Sequence, residues 1–266
     1  MNIMPETNKP FNLEEEATKY FTKHYPEASD EEIAKQVLDW KNKISVGSKI
    51  VDFFKERIGN VSGKKILDVG FGSGGIVISF GLAGGVVSGV DVDLELKEIA
   101  KENLRANNVS ADLQIYNGID LPYPDNYFDY IVCSSVLEHV SFPNELLADS
   151  FRVLKVGGRM FLTLPNRYYP KETHTLAYFV SYMPRRMANL YLKLLKRSPL
   201  EQDNLHFYSY FAVLRMLRKT SYKFELLYSN LSKTTGIKKF LTLVLKKLNI
   251  HYTIFLKQLM FIIEKK

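Results

Sequence analysis

The feature that most constrains this chain is an uncharged run of 22 residues, 69–90, eight of which are glycine. The run is long enough to cross a bilayer, but each glycine weakens a continuous helix by about 1 kcal/mol. A strand, a tight turn, a short helix and a second strand use glycine without that penalty. Because aspartates also bracket the run, we expect it to fold as strand, turn, helix and strand.

One pattern in this run is typical of dinucleotide sites. Gly70, Gly72 and Gly75 match G-x-G-x-x-G, and Asp91 follows at about 20 residues, where an acid would bind a ribose. The glycines would form a sharp turn that exposes backbone amides and a helix N-terminus to the ligand. Taken alone, G-x-G-x-x-G is a weak signal.

A second pattern overlaps the first. Asp68, Gly70, Gly72 and Gly74 match D-x-G-x-G-x-G, the pattern of an S-adenosylmethionine (SAM) site. Asp68 favours this interpretation, because a buried acid ahead of the turn would oppose a pyrophosphate but can accept hydrogen bonds from an ammonium. On these residues alone both cofactors remain open.

Hydrophobic periodicity divides the chain into four segments. Residues 1–60 are predicted to be a helical lead-in, with Ser29 and Glu32 placed to form a capping box. Residues 61–165 alternate short apolar runs with helices, which is typical of a parallel sheet covered on both faces. Residues 166–206 are predicted to be an inserted helical lid, interrupted at Pro184. Residues 207–266 resume the helix and strand order.

Composition bounds the function. The single cysteine, Cys133, excludes an internal disulfide framework and any site built from several thiolates, and the sequence predicts no metal. The N-terminal residues contain no apolar signal core, so we expect a cytoplasmic protein. Residues 166–266 carry 19 Lys and Arg against 5 Asp and Glu, whereas residues 1–165 carry 17 against 24. This asymmetry indicates either an anionic partner or solvated helix faces, with equal weight.

Two later stretches carry a family resemblance. "NGIDLPYPDNYFDYIVCSSVLEHV" at residues 117–140 and "FRVLKVGGRMFLTLPN" at residues 151–166 resemble class I SAM-dependent methyltransferases. The nearest branch is methyltransferase type 11, which includes the ubiquinone and menaquinone methyltransferases. The resemblance covers residues 60–165 well and 207–230 loosely. It implies SAM as the cofactor and a Rossmann-like, seven-stranded, mostly parallel sheet with an antiparallel last strand, but not a particular acceptor.

The resemblance also implies which residues contact SAM. The ten matching positions are Asp68, Gly70, Gly72, Ser73, Gly74, Asp91, Asn117, Gly118, Ile119 and Ser134. Asn117 and Gly118 stand where the family usually has Asp-Ala, and Asn117 keeps a carbonyl acceptor for the adenine amino group. Alternatives remain: Asp91 as a cap of the following helix, Ile119 as a core residue and Ser134 as a plain strand end.

Three histidines are candidates for a general base. His139 lies in "LEHV" after the fourth strand, on the side of the sheet where open α/β sheets bind ligands. His174 opens the inserted segment, and His206 precedes the helix that returns to the sheet. A base would assist transfer to a hydroxyl acceptor, although each histidine has an alternative role in structure or helix capping.

These features predict a SAM-dependent methyltransferase acting on a small-molecule, glycan or lipid-linked acceptor. Two basic amphipathic segments, residues 183–197 and 237–250, favour peripheral contact with an anionic membrane, the alternative being ordinary cap helices that bury their leucines.

The alternative function is an RNA methyltransferase that uses the basic C-terminal surface. Against it, the fourth strand ends in "SSVLEH", not in Asn-Pro-Pro-aromatic, and the chain has no stacked-aromatic RNA module. A SAM-binding protein without catalysis is disfavoured by nearly intact cofactor motifs.

Overall fold

The computed structural model describes residues 10–202, 204–226 and 256–266. The described helices are α1 Leu13–His24, α2 Asp30–Lys41, α3 Lys43–Arg57, α4 Gly75–Leu82, α5 Leu94–Ala106, α6 Pro143–Val153, α7 Arg185–Leu194 and α8 Tyr210–Lys219. The described strands are β1 Lys65–Val69, β2 Val86–Asp91, β3 Asp112–Ile115, β4 Phe128–Ser134, β5 Leu154–Pro165, β6 Phe224–Leu226 and β7 Gln258–Lys265.

These strands form one sheet of seven strands in the order β3-β2-β1-β4-β5-β7-β6. The pairs among β1 to β5 are parallel, whereas β7 is antiparallel to both β5 and β6. The predicted fold class is therefore confirmed, including the strand near the C-terminus. The order reverses at β1, so β1 and β4 flank the crevice where open α/β sheets bind ligands.

Both faces of the sheet are buried, which explains why the strands are continuously apolar. Successive side chains point to opposite faces, so Leu67 joins the cluster that packs under α6 and α8, and Ile66 joins the cluster under α3 and α4. On β4, Ile131 joins the cluster under α6 and α8, and Val132 joins the cluster under α3 and α4. The glycine-rich run 69–90 folds as the predicted turn, helix and strand. Among the described residues, no helix is long and apolar enough to span a membrane.

The described part of the lead-in, residues 10–60, is helical, as predicted from its periodicity, and contains three helices. Asn42 separates the last two, because it is the C-cap of α2 and the N-cap of α3. Ser29 and Glu32 form the predicted capping box at the start of α2. Ala17, Phe21 and Val37 of α1 and α2 pack with Ile99 of α5, so the lead-in packs against the helix that connects β2 and β3.

The inserted segment contains less helix than the sequence predicts. Among the described residues of this segment, only Arg185–Leu194 is α-helical, and it follows one 3₁₀ turn at Val180–Tyr182. Leu176 and Phe179 have positive φ of 57° and 59°, which ends any helix before Pro184. The predicted basic segment 237–250 lies outside the described residues.

Lys265 ties the end of β7 to the helical layer. Its residue is only 4% exposed, and Nζ donates to the carbonyls of Phe151 and Leu154 at 2.7 Å and to Oδ1 of Asn126 at 2.9 Å. These acceptors lie near the end of α6, where backbone carbonyls have no partner within the helix. The ammonium thus satisfies carbonyls that would otherwise be buried without a donor.

We expect Lys265→Met to reduce the free energy of unfolding by about 2–4 kcal/mol, because it leaves buried carbonyls without a charged donor. Urea unfolding followed by circular dichroism measures the change. Lys266→Met is the control, since the Lys266 side chain is 44% exposed and pairs with Glu264; its effect should stay below about 1 kcal/mol. Equal losses in the two variants would contradict the anchoring role of Lys265.

Candidate active site

The turn after β1 is built from left-handed glycines. Gly70, Gly72 and Gly74 have φ of 73°, 50° and 80°, a region that side chains with a Cβ rarely adopt. A Cβ on Gly70 would meet Cγ2 of Val136 at 2.4 Å, whereas a Cβ on Gly72 would meet no atom within 4 Å. The turn is therefore packed against the loop after β4 on one side and open at Gly72.

Asp68 carries a buried carboxylate at the end of β1. The residue is 1% exposed, and neither carboxylate oxygen meets a hydrogen-bond partner among the described residues. Burial raises the pKa of Asp68 well above its ordinary value. A cation placed against these oxygens would restore the charged form, so the position suits the ammonium of a methionyl group. The hydroxyl of Ser73 is likewise buried and without a described partner.

Asp91 closes the other side of the turn. Its Oδ2 accepts from the amide of Gly72 at 2.9 Å, and its Oδ1 accepts from the amide of Val92 at 2.7 Å. Burial raises its pKa, although these amide hydrogen bonds act in the opposite direction. The cap of α5 is Asp93, which accepts from the amides of Glu95 and Leu96. Asp91 is therefore not that cap, and its predicted contact with a ribose stays a prediction.

The lead-in helix α1 lies against this part of the site. The Tyr20 hydroxyl donates to Oδ2 of Asp93 at 2.7 Å, and burial followed by this hydrogen bond raises the pKa of Tyr20. Lys23 and His24 contact Glu95 at 2.7 and 2.9 Å. These contacts hold α1 beside the proposed ribose acid.

The residues predicted at the adenine edge form a turn after β3. Oδ1 of Asn117 accepts from the amides of Ile119 and Asp120 at 2.9 and 2.8 Å. Gly118 has a positive φ of 86°. The Asn117 carbonyl thus already serves two amides, and its predicted contact with an adenine amino group stays a prediction. Ile119 is half-buried beside it.

The end of β4 carries the next predicted contact. Ser134 accepts a hydrogen bond from the Thr163 hydroxyl of β5 at 3.0 Å. Ser135 follows with a φ of 59°, and the chain then turns through Leu137–His139 as a short 3₁₀ helix. Ser134 therefore stands at the strand end predicted for it, while its SAM contact stays a prediction.

All three candidate histidines come together beside this turn. The rings of His139 and His174 pack edge to face with centroids 4.9 Å apart. The backbone amide of His206 donates to the carbonyl of Glu138 at 2.8 Å, and Asn204 donates to the carbonyl of His139 at the same distance. Burial, followed by Arg185 and His139, lowers the pKa of His206, which favours its neutral form. The cluster joins the loop after β4 to both ends of the insertion.

Glu172 organises the insertion around His174. One of its oxygens, Oε2, accepts from the amides of His174 and Thr175 at 2.8 and 2.6 Å and from the Thr175 hydroxyl at 3.0 Å. The other, Oε1, lies 2.9 Å from Nδ1 of His174. Burial opposes the charge on Glu172, but the hydrogen bonds from His174 and Thr175 outweigh it and lower the pKa to about 2.

The carboxylate of Glu172 fixes the function of each ring nitrogen of His174. With Nδ1 facing the carboxylate, the neutral imidazole carries its proton on Nδ1 and offers Nε2 as an acceptor. This is the arrangement by which a second acidic group orients a histidine base. Sequence analysis missed Glu172; its only signal was the "ETHT" spacing, in which a short acidic side chain can cap the amides that follow.

Glu138 was also missed by sequence analysis as a separate group. It is 1% exposed, both oxygens lack a described hydrogen-bond partner, and burial raises its pKa. Ligand atoms of Glu138, His139 and His174 lie within 4.8 Å of one another, close enough to hold a metal ion. The predicted absence of a metal stays a prediction.

Comparison with known proteins agrees with this geometry. Residues 67–162 match the family described as "Methyltransferase domain". A ubiquinone biosynthesis O-methyltransferase of Pseudomonas savastanoi pv. phaseolicola is 32% identical over 119 residues, which cover 44% of this chain and 50% of that protein. The chain spans about half the length of such curated relatives.

Solved structures share the fold at low sequence identity. The PH0226 protein of Pyrococcus horikoshii superposes with a TM-score of 0.57 at 14% identity, covering 93% of this chain and 99% of that one. The [4+2]-cyclase SpnF has a TM-score of 0.51 at 23% identity over 68% of this chain and 57% of its own. Because a cyclase shares the fold, the fold alone does not establish the reaction.

The resemblance to class I SAM-dependent methyltransferases is thereby confirmed. Residues 67–162 match a methyltransferase domain, and this match supports SAM as the cofactor. The glycine turn, the unpartnered Asp68 and the amide-bound Asp91 agree with that cofactor.

We expect Asp91→Ala to weaken SAM binding at least about 100-fold, because two charge-assisted hydrogen bonds to the ribose diol, each worth about 1.5–3 kcal/mol, are lost. Isothermal titration calorimetry measures the dissociation constant. Asp52→Ala, on the exposed face of α3, is the matched control and should bind SAM as the unmodified chain does. Tighter binding of NADH than of SAM would overturn the cofactor assignment.

Proposed function

We propose that this chain, whose residues 67–162 are a methyltransferase domain, transfers a methyl group from SAM to a hydroxyl of a small-molecule or lipid-linked acceptor. The observation that carries the proposal is the Glu172–His174 pair beside the loop that ends β4. A buried carboxylate, a histidine whose Nδ1 it contacts, and the turn after β1 lie at the carboxyl ends of the parallel strands. The relatives' printed name, O-methyltransferase, supports oxygen as the acceptor atom.

SAM supplies a sulfonium methyl group that a nucleophile can displace. The residues of the chain that would hold it are Asp68 at the ammonium, the amides around Gly72 at the methionyl end and Asp91 at the ribose. In-line positioning supplies most of the acceleration for such a transfer. The glycine turn and the two acids therefore act mainly by orientation.

His174 is the proposed general base. Its Nε2 would accept the proton of the acceptor hydroxyl, and Glu172 would stabilise the resulting imidazolium through Nδ1. His139 packs its ring against His174 and limits the orientations of that ring. His206 supports the same loop through its backbone and is proposed as a positioning residue.

The exposed face of α7 supports contact with a membrane surface. Ala188 and Leu192 of this helix are buried, whereas Met187, Leu190 and Leu194 are 60%, 61% and 75% exposed. Arg186 and Lys193 are also exposed on this helix. The alternative is an ordinary cap helix that buries its leucines. It agrees with the burial of Leu192 but not with the exposure of Leu190 and Leu194.

Aromatic side chains extend this apolar face. Tyr178, Phe179 and Tyr182 are each about half exposed and pack against one another in series, with ring centroids 6.2 and 6.0 Å apart. Exposed apolar and aromatic groups among basic residues are typical of an interfacial segment. We therefore propose that the protein is cytoplasmic and binds peripherally to anionic membranes.

The proposed reaction predicts where a labelled methyl group goes. Purified protein with methyl-labelled SAM and a fractionated cell extract should transfer label into the lipid or small-molecule fraction. Retention of label only in nucleic acid would favour the alternative RNA methyltransferase. His174→Gln should abolish transfer while SAM affinity stays unchanged by calorimetry, because His174 acts on the acceptor and not on the cofactor.

We expect Glu172→Gln to slow methyl transfer about 10²-fold or more, because His174 loses the charge that stabilises its protonated form. The acidic limb of the pH–rate profile should also move to lower pH, since removal of a neighbouring negative charge favours the neutral imidazole. The labelled acceptor fraction serves as substrate. Glu98→Gln, an exposed residue of α5, is the control, and an unchanged profile in Glu172→Gln would argue against the pair.

We expect the protein to float with vesicles rich in phosphatidylglycerol at low salt and to be released at high salt, because each basic group near the surface contributes about 1 kcal/mol. Leu190→Glu with Leu194→Glu should abolish flotation by placing charge on the apolar face. Leu38→Glu, on the exposed side of α2, is the matched control. If the unmodified protein ignores these vesicles, the surface-binding proposal is wrong.

A further inference from the structure

A shallow hollow lies where the chain leaves β5 and enters the inserted segment. Arg167, Lys171 and Lys257 line this hollow, and all three residues are exposed. The backbone fixes their neighbourhood, because the amide of Asn166 donates to the carbonyl of Lys257 at 3.0 Å. The Ser181 hydroxyl donates to the carbonyl of Arg167 at 2.7 Å and holds the insertion against this end of the sheet. Because β1, β4 and β5 are parallel, the hollow lies at the same edge of the sheet as the cofactor turn.

The three cations are not neutralised by the part of the chain that the structure describes. None of them forms an ion pair with a described acid, and the Lys171 ammonium lies over the Tyr178 ring, 5.6 Å from its centroid. Among the described residues that line the hollow, Glu172 is the one acid, and it already accepts hydrogen bonds from backbone amides of the insertion. Three positive side chains against one carboxylate leave the lining with a net charge of +2. Residues 227–255, outside the described structure, contain no Asp or Glu.

This net charge matches a phosphate group better than it matches a carboxylate. A phosphate monoester carries a charge of about −1.5 to −2 at pH 7 and three strong acceptor oxygens, whereas a carboxylate carries a single charge and two oxygens. An arginine fork binds two phosphate oxygens at once, and lysines add point charges beside it. One arginine and two lysines around a hollow therefore suit phosphate. This agrees with the anionic partner that the excess of Lys and Arg in residues 166–266 indicates.

Glu172 joins the hollow to the proposed base. It lines the hollow, and its Oε1 lies 2.9 Å from Nδ1 of His174. A phosphate group in the hollow would thus be separated from the imidazole by one side chain, a gap that a single acceptor molecule can bridge. The approach is open to solvent, because the three cations are exposed. The acceptor therefore needs no enclosed chamber.

We propose that Arg167, Lys171 and Lys257 bind a phosphate group of the acceptor and thereby select a phosphorylated hydroxyl compound. The inference rests on the proposed function, because it places the reacting hydroxyl of the same molecule at His174. The phosphate belongs to the acceptor, whereas membrane contact stays with the exposed face of α7. The hollow fixes one end of the acceptor and leaves the hydroxyl end to the base.

Equilibrium binding of inorganic phosphate to the whole protein tests this assignment without requiring turnover. At low salt and with S-adenosylhomocysteine present, a titration followed by the phosphorus NMR shift should reach saturation. Arg167→Met and Lys257→Met should each weaken the binding at least about 10-fold, because each variant loses a charge-assisted contact with the phosphate. Both changes lie on exposed residues, so SAM affinity measured by calorimetry should stay unchanged.

Arg215→Met and Lys55→Met are the matched controls. They remove the same charges from exposed residues of α8 and α3 that do not line the hollow. Their affinity for phosphate should stay within about twofold of the unmodified protein, because a distant exposed charge contributes little. Phosphate binding that does not saturate, or that the controls weaken as much as the hollow variants do, would overturn the proposal.

Vesicle flotation separates the phosphate of the acceptor from the phosphate of bulk lipid. Arg167→Met and Lys257→Met should change flotation with phosphatidylglycerol vesicles no more than Arg215→Met and Lys55→Met do. A larger loss of flotation in the hollow variants would assign the hollow to lipid headgroups and overturn the acceptor site.

The phosphate site and the proposed reaction fail in different ways. Saturable phosphate binding that depends on the hollow, without transfer of label from SAM to any extract fraction, would support the site and reject the reaction. A labelled product that contains no phosphorus by mass spectrometry would reject the site and keep the reaction.

Discussion

The close approach of Gly70 to Val136 is the contact on which the site depends. A Cβ at Gly70 would lie 2.4 Å from Cγ2 of Val136, so only glycine lets the turn after β1 pack against the loop after β4. That loop continues directly into the Glu138–His139 turn. The same contact therefore holds the cofactor turn and the histidine cluster side by side. A bulkier residue at this position would have to push the two apart.

The lead-in helices and the inserted segment are far apart in sequence but meet in the fold. The Arg197–Ser29 and Ser198–Glu32 hydrogen bonds join them. Because Tyr20 of the lead-in also contacts Asp93, two residues after Asp91, the lead-in contacts both the insertion and the loop after β2. Movement of α1 would therefore alter both regions together.

Sequence reasoning succeeded where the signal is local. The left-handed glycines at 70, 72 and 74 and the Ser29–Glu32 capping box each act within a few residues, and the strands follow from short buried apolar runs. The insertion was harder, because positive φ values at Leu176 and Phe179 interrupt the predicted helix and no residue type there signals them. The role of Glu172 depends on burial, which the "ETHT" spacing alone does not show.

Burial alone does not decide the charge of the acids in this site. Asp68 and Glu138 are buried without described partners, and burial raises the pKa of each. Glu172 is equally buried but accepts hydrogen bonds from His174 and Thr175, and its pKa falls to about 2. The hydrogen-bond partners of each acid, rather than its burial, therefore decide whether its pKa is raised or lowered.

The raised and lowered pKa values have opposite effects on how folding stability changes with pH. Glu172 has a depressed folded-state pKa, so its stabilising contribution is present above the ordinary carboxyl pKa and is lost only as pH falls toward 2. Asp68 and Glu138 favour the protonated form in the folded state, so ionising them at higher pH opposes folding. A cationic ligand at Asp68 would remove that opposition, because the ammonium supplies the partner that the carboxylate lacks. Cofactor binding would thus stabilise the fold at the buried end of β1.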